Sequence, residues 1–123
     1  MKRLESSEDY LERILMLLES NGSVRAIDIA TAMKFSKASV SIALKKLKDR
    51  NLVIVDDKNG NITLTKQGYF IASQVYDRHK VLSNMLIKLG VDKDVALEDA
   101  CRIEHDISDE SFQKIKDKYG TKK

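Results

Sequence analysis

Proline and tryptophan are absent from this 123-residue chain, cysteine occurs once, histidine twice and glycine five times. Each shortage closes off a class of structure. Without proline nothing breaks long helical patterns, so 42% hydrophobic and 33% charged residues favour a soluble, mainly helical protein. One cysteine excludes an internal disulfide and suits a reducing cytoplasm. The longest uninterrupted apolar run, Ile14-Leu15-Met16-Leu17-Leu18, is too short to span a bilayer, so no membrane partner is expected. No apolar run follows the start Met1-Lys2-Arg3-Leu4-Glu5 to make a signal peptide. HExxH, a nucleophile elbow and a phosphate-binding glycine loop are all missing, so neither an enzyme nor a small-molecule substrate is indicated. The length fits one domain, or two small ones sharing a core, and is short enough that dimerisation would help.

What is present is helical patterning with one interruption. Ser6 and Ser7 can cap a first helix whose buried stripe is Leu11, Ile14, Leu15 and Leu18, ended by Asn21-Gly22. A shorter helix carries Ile27, Ile29, Ala30 and Met33. After a tight break at Phe35-Ser36, Ser36 caps a third helix to about Arg50. There Val40, Ala43, Leu44 and Leu47 face inward, and Lys37, Ser41, Lys45 and Lys48 face out. From Lys34 to Arg50 six basic residues stand against one acid, Asp49, as a phosphate backbone would require, although a solvated helix face reads the same way. The period then changes. Leu52-Val53-Ile54-Val55 and Ile62-Thr63-Leu64 are short and β-branched, and Asn59-Gly60 is a hairpin turn. Helix, turn, helix and hairpin in this order make a winged helix-turn-helix over 1–70, with the third helix as reading head and Lys58 and Asn59 near the wing tip. Such a fold also serves as a protein-interaction module.

The fold class expected is therefore mainly α with a small β-wing, the DNA-binding domain being followed by a helical domain over 71–123. Thr65 caps a long helix to Leu89, striped by Ile71, Val75, Leu82, Met85, Leu86 and Leu89, with His79 in line with Val75 and Leu82. A fifth helix spans about Lys93 to Asp106. Ser108 caps a last one with Phe112 and Ile115 as its apolar contacts, and the end from Gly120 is expected to fray.

Within the fifth segment Cys101, Glu104 and His105 fall at i, i+3 and i+4, a spacing that puts them on one helical face. A thiolate, a carboxylate and an imidazole form a mixed ligand set for a transition metal. Asp9, Glu12 and His79 could complete a site. Each has a plainer explanation: Asp9 stands at capping-box spacing from Ser6, Glu12 can be solvated, His79 can be a core histidine, and Cys101 a small buried hydrophobe.

The order Glu8-Asp9-Tyr10-Leu11-Glu12, a winged helix, Arg78-His79, then Glu98 to Glu110 resembles the diphtheria toxin repressor family of iron- and manganese-dependent regulators. The resemblance covers nearly the whole chain and is most specific from Glu98 to Glu110. It implies a homodimer that binds a divalent metal as corepressor, then a palindromic operator, and represses metal-uptake genes. It also implies the short form, which lacks a C-terminal SH3-like domain. Carried over by position, Asp9, Cys101, Glu104 and His105 match one metal site, and Glu12 and His79 the neighbouring one. Ser83 and Leu97 stand where the iron-type ancillary site has ligands, and Cys101 stands where manganese-type members have a carboxylate. The thiolate makes iron(II) the first choice and manganese the second. A metal tying the first helix to the fifth would set two reading heads roughly 34 Å apart, for successive major grooves.

On the DNA side, Ser36, Ser39 and Ser41 can donate to phosphates, Arg25 and Lys46 add charge, and Lys37 and Ala38 approach base edges. Ile42 replaces the polar base-reading side chain of related proteins, and it either touches a thymine methyl or packs. Asp56 and Asp57 make the wing less basic. The alternative is a metal-independent winged-helix regulator with Cys101 as a redox or structural residue.

Overall fold

The computed structural model describes residues 7–120. It contains α1 (Ser7–Asn21), α2 (Ala26–Met33), α3 (Lys37–Asp49), β1 (Val53–Val55), β2 (Ile62–Leu64), α4 (Lys66–Lys88), α5 (Lys93–Ile103) and α6 (Asp109–Tyr119). The chain divides into two compact units, the break falling between Ser73 and Gln74 within α4. No helix of the described residues is long and apolar enough to cross a membrane.

In the first unit α1 packs on α2, α3 and β2. Leu11, Ile14 and Leu15 of its stripe are buried, each contributing about 1.5–3 kcal/mol of transfer free energy. Leu18 is only half-buried, because it lies in the last turn before Gly22. Tyr10 fills space the stripe did not predict, its ring meeting Phe35 at 5.9 Å. Ser7 is the first residue of α1 rather than its cap, and its hydroxyl accepts from Arg50 Nη1 at 2.9 Å. Ser6 lies outside the described residues, as do Lys122 and Lys123 of the expected frayed end. Gly120 itself caps α6, donating to Lys116 O.

The break between α2 and α3 begins at Lys34, a non-glycine residue in the left-handed conformation (φ 60°), whose N–H donates to Ala30 O. Ser36 then caps α3 as its sequence position requires, accepting from Ser39 N at 3.1 Å. Val40, Leu44 and Leu47 are buried beneath it.

β1 and β2 pair antiparallel, with Val53 opposite Leu64 and Val55 opposite Ile62. The turn expected at Asn59-Gly60 lies within a six-residue link, 56–61, that begins at Asp56. The Asp56 carboxylate accepts from Lys58 N and Asn59 N, Gly60 N donates to Asp56 O, and Asp56 N closes on Asn61 O. Asp56, which makes the wing less basic, is what folds its tip. An Asx-type loop captured the chain before the glycine could.

Thr65 caps α4 by accepting from Gly68 N at 3.0 Å, while its hydroxyl donates to Asn51 O. Gly68 allows the helix to come in close: a Cβ there would stand 2.0 Å from Leu52 O.

The second unit comprises the rest of α4 with α5 and α6, its buried apolar residues being Val75, Val81, Leu82, Ala96, Ala100 and Phe112. Leu89, expected in the buried stripe, is 64% exposed because α4 ends at Lys88. Asn84 Nδ2 donates to Tyr119 O, and Lys116 pairs with Asp77 at 2.8 Å. Asp92 caps α5 and Ser108 caps α6. α5 stops at Ile103 instead of Asp106, so Glu104 is its C-cap and His105 lies in the following turn.

Candidate metal centre and nucleic-acid face

In the second unit α4 supplies His79, and the turn after α5 supplies Glu104 and His105. The Glu104 side chain is 0% exposed, a costly place for a carboxylate unless it is well partnered. His79 Nδ1 stands 3.1 Å from Glu104 Oε1, and His105 Nε2 stands 3.3 Å from Oε2. Each carboxylate oxygen thus faces one imidazole. Both imidazoles are themselves well covered, at 14% and 7% exposure. Glu104 offers one oxygen beside His105 and the other beside His79, carboxylate and imidazole donors that suit divalent transition metals, so these residues fit the neighbouring sites that the sequence implies. Cys101 lies one turn earlier in α5 and is half-buried.

Helical spacing predicted that Cys101, Glu104 and His105 share a face of one helix. Only Cys101 is inside it. Glu104 keeps its N–H bond to Ala100 O at 3.0 Å and so stays in helical register, while His105 reaches the carboxylate through a turn. Ser83, standing where an ancillary ligand would be, is buried, and its hydroxyl donates to the His79 carbonyl. In the first unit Asp9 and Glu12 lie a turn apart on α1, and both are buried.

Arg78 was legible in the sequence only as the neighbour of His79. Its Nη1 donates to Glu104 O at 3.2 Å and Ile107 O at 3.0 Å, its Nη2 pairs with Asp109, and its guanidinium lies 5.1 Å from the Phe112 ring centroid. The available signal was an arginine flanked on its helix face by the apolar Val75, Val81 and Leu82.

On the first unit, Lys37, Ala38, Ser39, Ser41, Lys45, Lys46 and Lys48 of α3 are exposed, as is Ser36 at its cap. Ile42 does not pack: it is 58% exposed on the same helix. Ser41, Lys45 and Lys48 instead border a groove of about 420 Å³ that reaches Val55, Gly60 and Ile62 of the hairpin. Arg25, exposed before α2, turns Nε towards Asn61 Oδ1 at 3.5 Å, at the base of the wing loop. The first unit therefore offers a basic helix whose inner side is already satisfied by its own core.

Residues 3–61 match the family model described as iron dependent repressor, N-terminal DNA binding domain. Residues 65–123 match the one described as iron dependent repressor, metal binding and dimerisation domain. The chain belongs to the iron-dependent repressor family. This is the family of diphtheria toxin repressor and MntR, made up of metal-dependent transcriptional repressors and not enzymes. An uncharacterised HTH-type transcriptional regulator of Methanocaldococcus jannaschii is 36% identical over 114 residues, covering 91% of this chain and 90% of that protein. The HTH-type transcriptional regulator MntR of Bacillus subtilis is 36% identical over 112 residues, covering 91% of this chain and 78% of MntR. Among solved structures, a manganese-dependent transcriptional repressor in complex with manganese aligns with a TM-score of 0.83 at 30% identity, over 94% of this chain. The manganese regulator SloR aligns at 0.79 and 33% identity, over 91% of this chain. This iron-dependent repressor chain spans about half the length of those two solved chains, 52% and 53% of them.

Proposed function

We propose that this chain represses metal-homeostasis genes in the cytoplasm, as a homodimer that binds a palindromic operator when loaded with a divalent cation. The observation that carries this reading is the buried Glu104 carboxylate with one imidazole at each oxygen. The ligands proposed are those of the sequence: Asp9, Cys101, Glu104 and His105 for one site, and Glu12 and His79 for the neighbouring one. A bound cation would supply the positive charge that holds these donors together. The chain's own part is to place two imidazoles and a carboxylate with little water around them.

Iron(II) is the first choice because Cys101 adds a soft donor. Manganese is second, and it is the ion named for the relatives. The proposed DNA contacts are Arg25, Ser36, Ser39, Ser41 and Lys46 to phosphates, with Lys37, Ala38 and Ile42 at base edges. The exposure of Ile42 supports contact with a thymine methyl over packing. Exposed Ile87, Leu89, Val95 and Leu97 in the second unit favour a second copy as partner, since a monomer leaves them in water.

The test begins with an operator selected from random duplexes. Binding by wild type and Cys101→Ser is then titrated anaerobically with iron(II), manganese and zinc. Metal-free protein that binds as tightly as loaded protein overturns the reading. Activation by iron but not manganese, lost in Cys101→Ser, places selectivity in the thiolate; equal activation by both removes the ranking of iron first.

A further inference from the structure

The ligand-bearing turn raises a physical question. Past Ile103 the helix no longer holds the chain, yet Glu104 and His105 face each other there in a buried setting. Carbonyls at the end of a helix have no partner within it and need one from elsewhere. Ile103 O is satisfied locally, accepting from Asp106 N and Ile107 N. The carbonyls of Glu104 and Ile107 are met by a single side chain, that of Arg78. Its other nitrogen takes Asp109, in the first turn of α6, and the Phe112 ring flanks its guanidinium.

We infer that Arg78 is a positioning residue for the metal centre: it holds the turn from Glu104 to Ile107 so that Glu104 and His105 are set before any cation arrives. This rests on the proposed metal reading and adds a residue outside the ligand set. Three features carry it. The arginine grips both ends of a four-residue turn that contains two of the ligands. It precedes His79, so consecutive residues of α4 hold the backbone carbonyl and the carboxylate of Glu104 respectively. The side chain is only 21% exposed, so its bonds to the two carbonyls are partly shielded from water although Asp109 is open to it, and a planar fork is the shape that spans several acceptors at once. A positive charge also suits the carbonyl end of α5. A lysine would reach one of these acceptors, not all three.

A plain brace between helices would act on stability alone, so the test separates the two roles. Arg78→Lys, Asp109→Asn and Glu104→Ala are compared with wild type as full chains. Metal-free melting, affinity for manganese and zinc by competition, and amide exchange at residues 104–107 are measured. The expectation is that Arg78→Lys melts within a few degrees of wild type but binds metal about 10- to 100-fold more weakly, the range for residues that orient ligands. Its amides at 104–107 exchange faster in the metal-free state. Asp109→Asn keeps both carbonyl bonds and loses roughly threefold or less in affinity, well inside that range. Metal affinity of Arg78→Lys equal to wild type overturns the inference. So does unfolding of Arg78→Lys, with Arg78→Gln measured beside it and unfolding too, since a residue needed for folding is a brace and nothing more. Unchanged affinity in Glu104→Ala overturns the metal reading itself.

Discussion

In the first unit the residues offered to DNA stand on the outside of a helix whose inside is already settled. Val40, Leu44 and Leu47 fix α3 against the core, Ser36 caps it, and its lysines extend into water. In the second unit the chemistry points inward. Glu104 is fully covered, its imidazole partners come from a different helix and from its own turn, and the turn is held by Arg78. A surface that attracts a polyanion needs only charge and a stiff support, and sequence period supplies both. A cation site needs donors converging within a few ångströms, which period cannot supply. Damage should therefore be local and graded in the first unit, and abrupt at the turn of the second.

The largest effect is expected at that turn. Glu104→Ala removes the carboxylate both imidazoles face, so divalent affinity should fall by roughly 100-fold or more, beyond the loss typical of an orienting residue. Isothermal titration with manganese checks this, and wild-type affinity would remove the contrast between the units. Next comes Gly68→Ala, where the new Cβ would press on Leu52 O at 2.0 Å. Overpacking against backbone should cost about 2–3 kcal/mol in urea unfolding. A neutral result would mean that α4 and the Leu52 segment can separate freely. Ser36→Ala should cost about 1 kcal/mol through loss of the bond from Ser39 N, seen in the same unfolding curves, with metal affinity unchanged. The smallest effect sharpens the DNA side. If Ile42 touches a thymine as proposed, replacing that base by uracil removes one methyl group, worth about 0.8 kcal/mol or about fourfold in affinity. Ile42→Ala should abolish that discrimination in fluorescence-anisotropy binding. Equal loss on both proteins would assign the methyl to another residue.

Much of the fold could be read in advance because its signals are local. Serine before an apolar period gave the caps of α3 and α6, and Thr65 gave that of α4. The failures also have local causes. Asn59-Gly60 marked the hairpin turn, but the sequence did not show that the Asp56 carboxylate would collect two N–H groups and shape the loop. The periodic stripe continued to Leu89, whereas α4 ended a residue earlier and left that side chain in water. Glu104 and His105 were placed on a helix by spacing, though the helix stops before them. Arg78 went unnoticed as a structural residue, because two of its partners are main-chain carbonyls, which leave no trace in side-chain identity, and the others lie some 30 positions away.

By itself, the sequence determined helices at these positions, a short hairpin and an outward basic face, and it named Glu104 and His105 as candidate ligands of one metal site and His79 of a neighbouring one. Hydrophobic period, capping residues and side-chain charge act over a few neighbouring positions, so they are written in order along the chain. Tertiary structure alone decided that one imidazole meets each oxygen of Glu104, that Ile42 stays in water, and that a guanidinium holds the turn between α5 and α6. The His79 and Arg78 contacts join residues 25 and 29 positions apart, a spacing that only the packed helices fix.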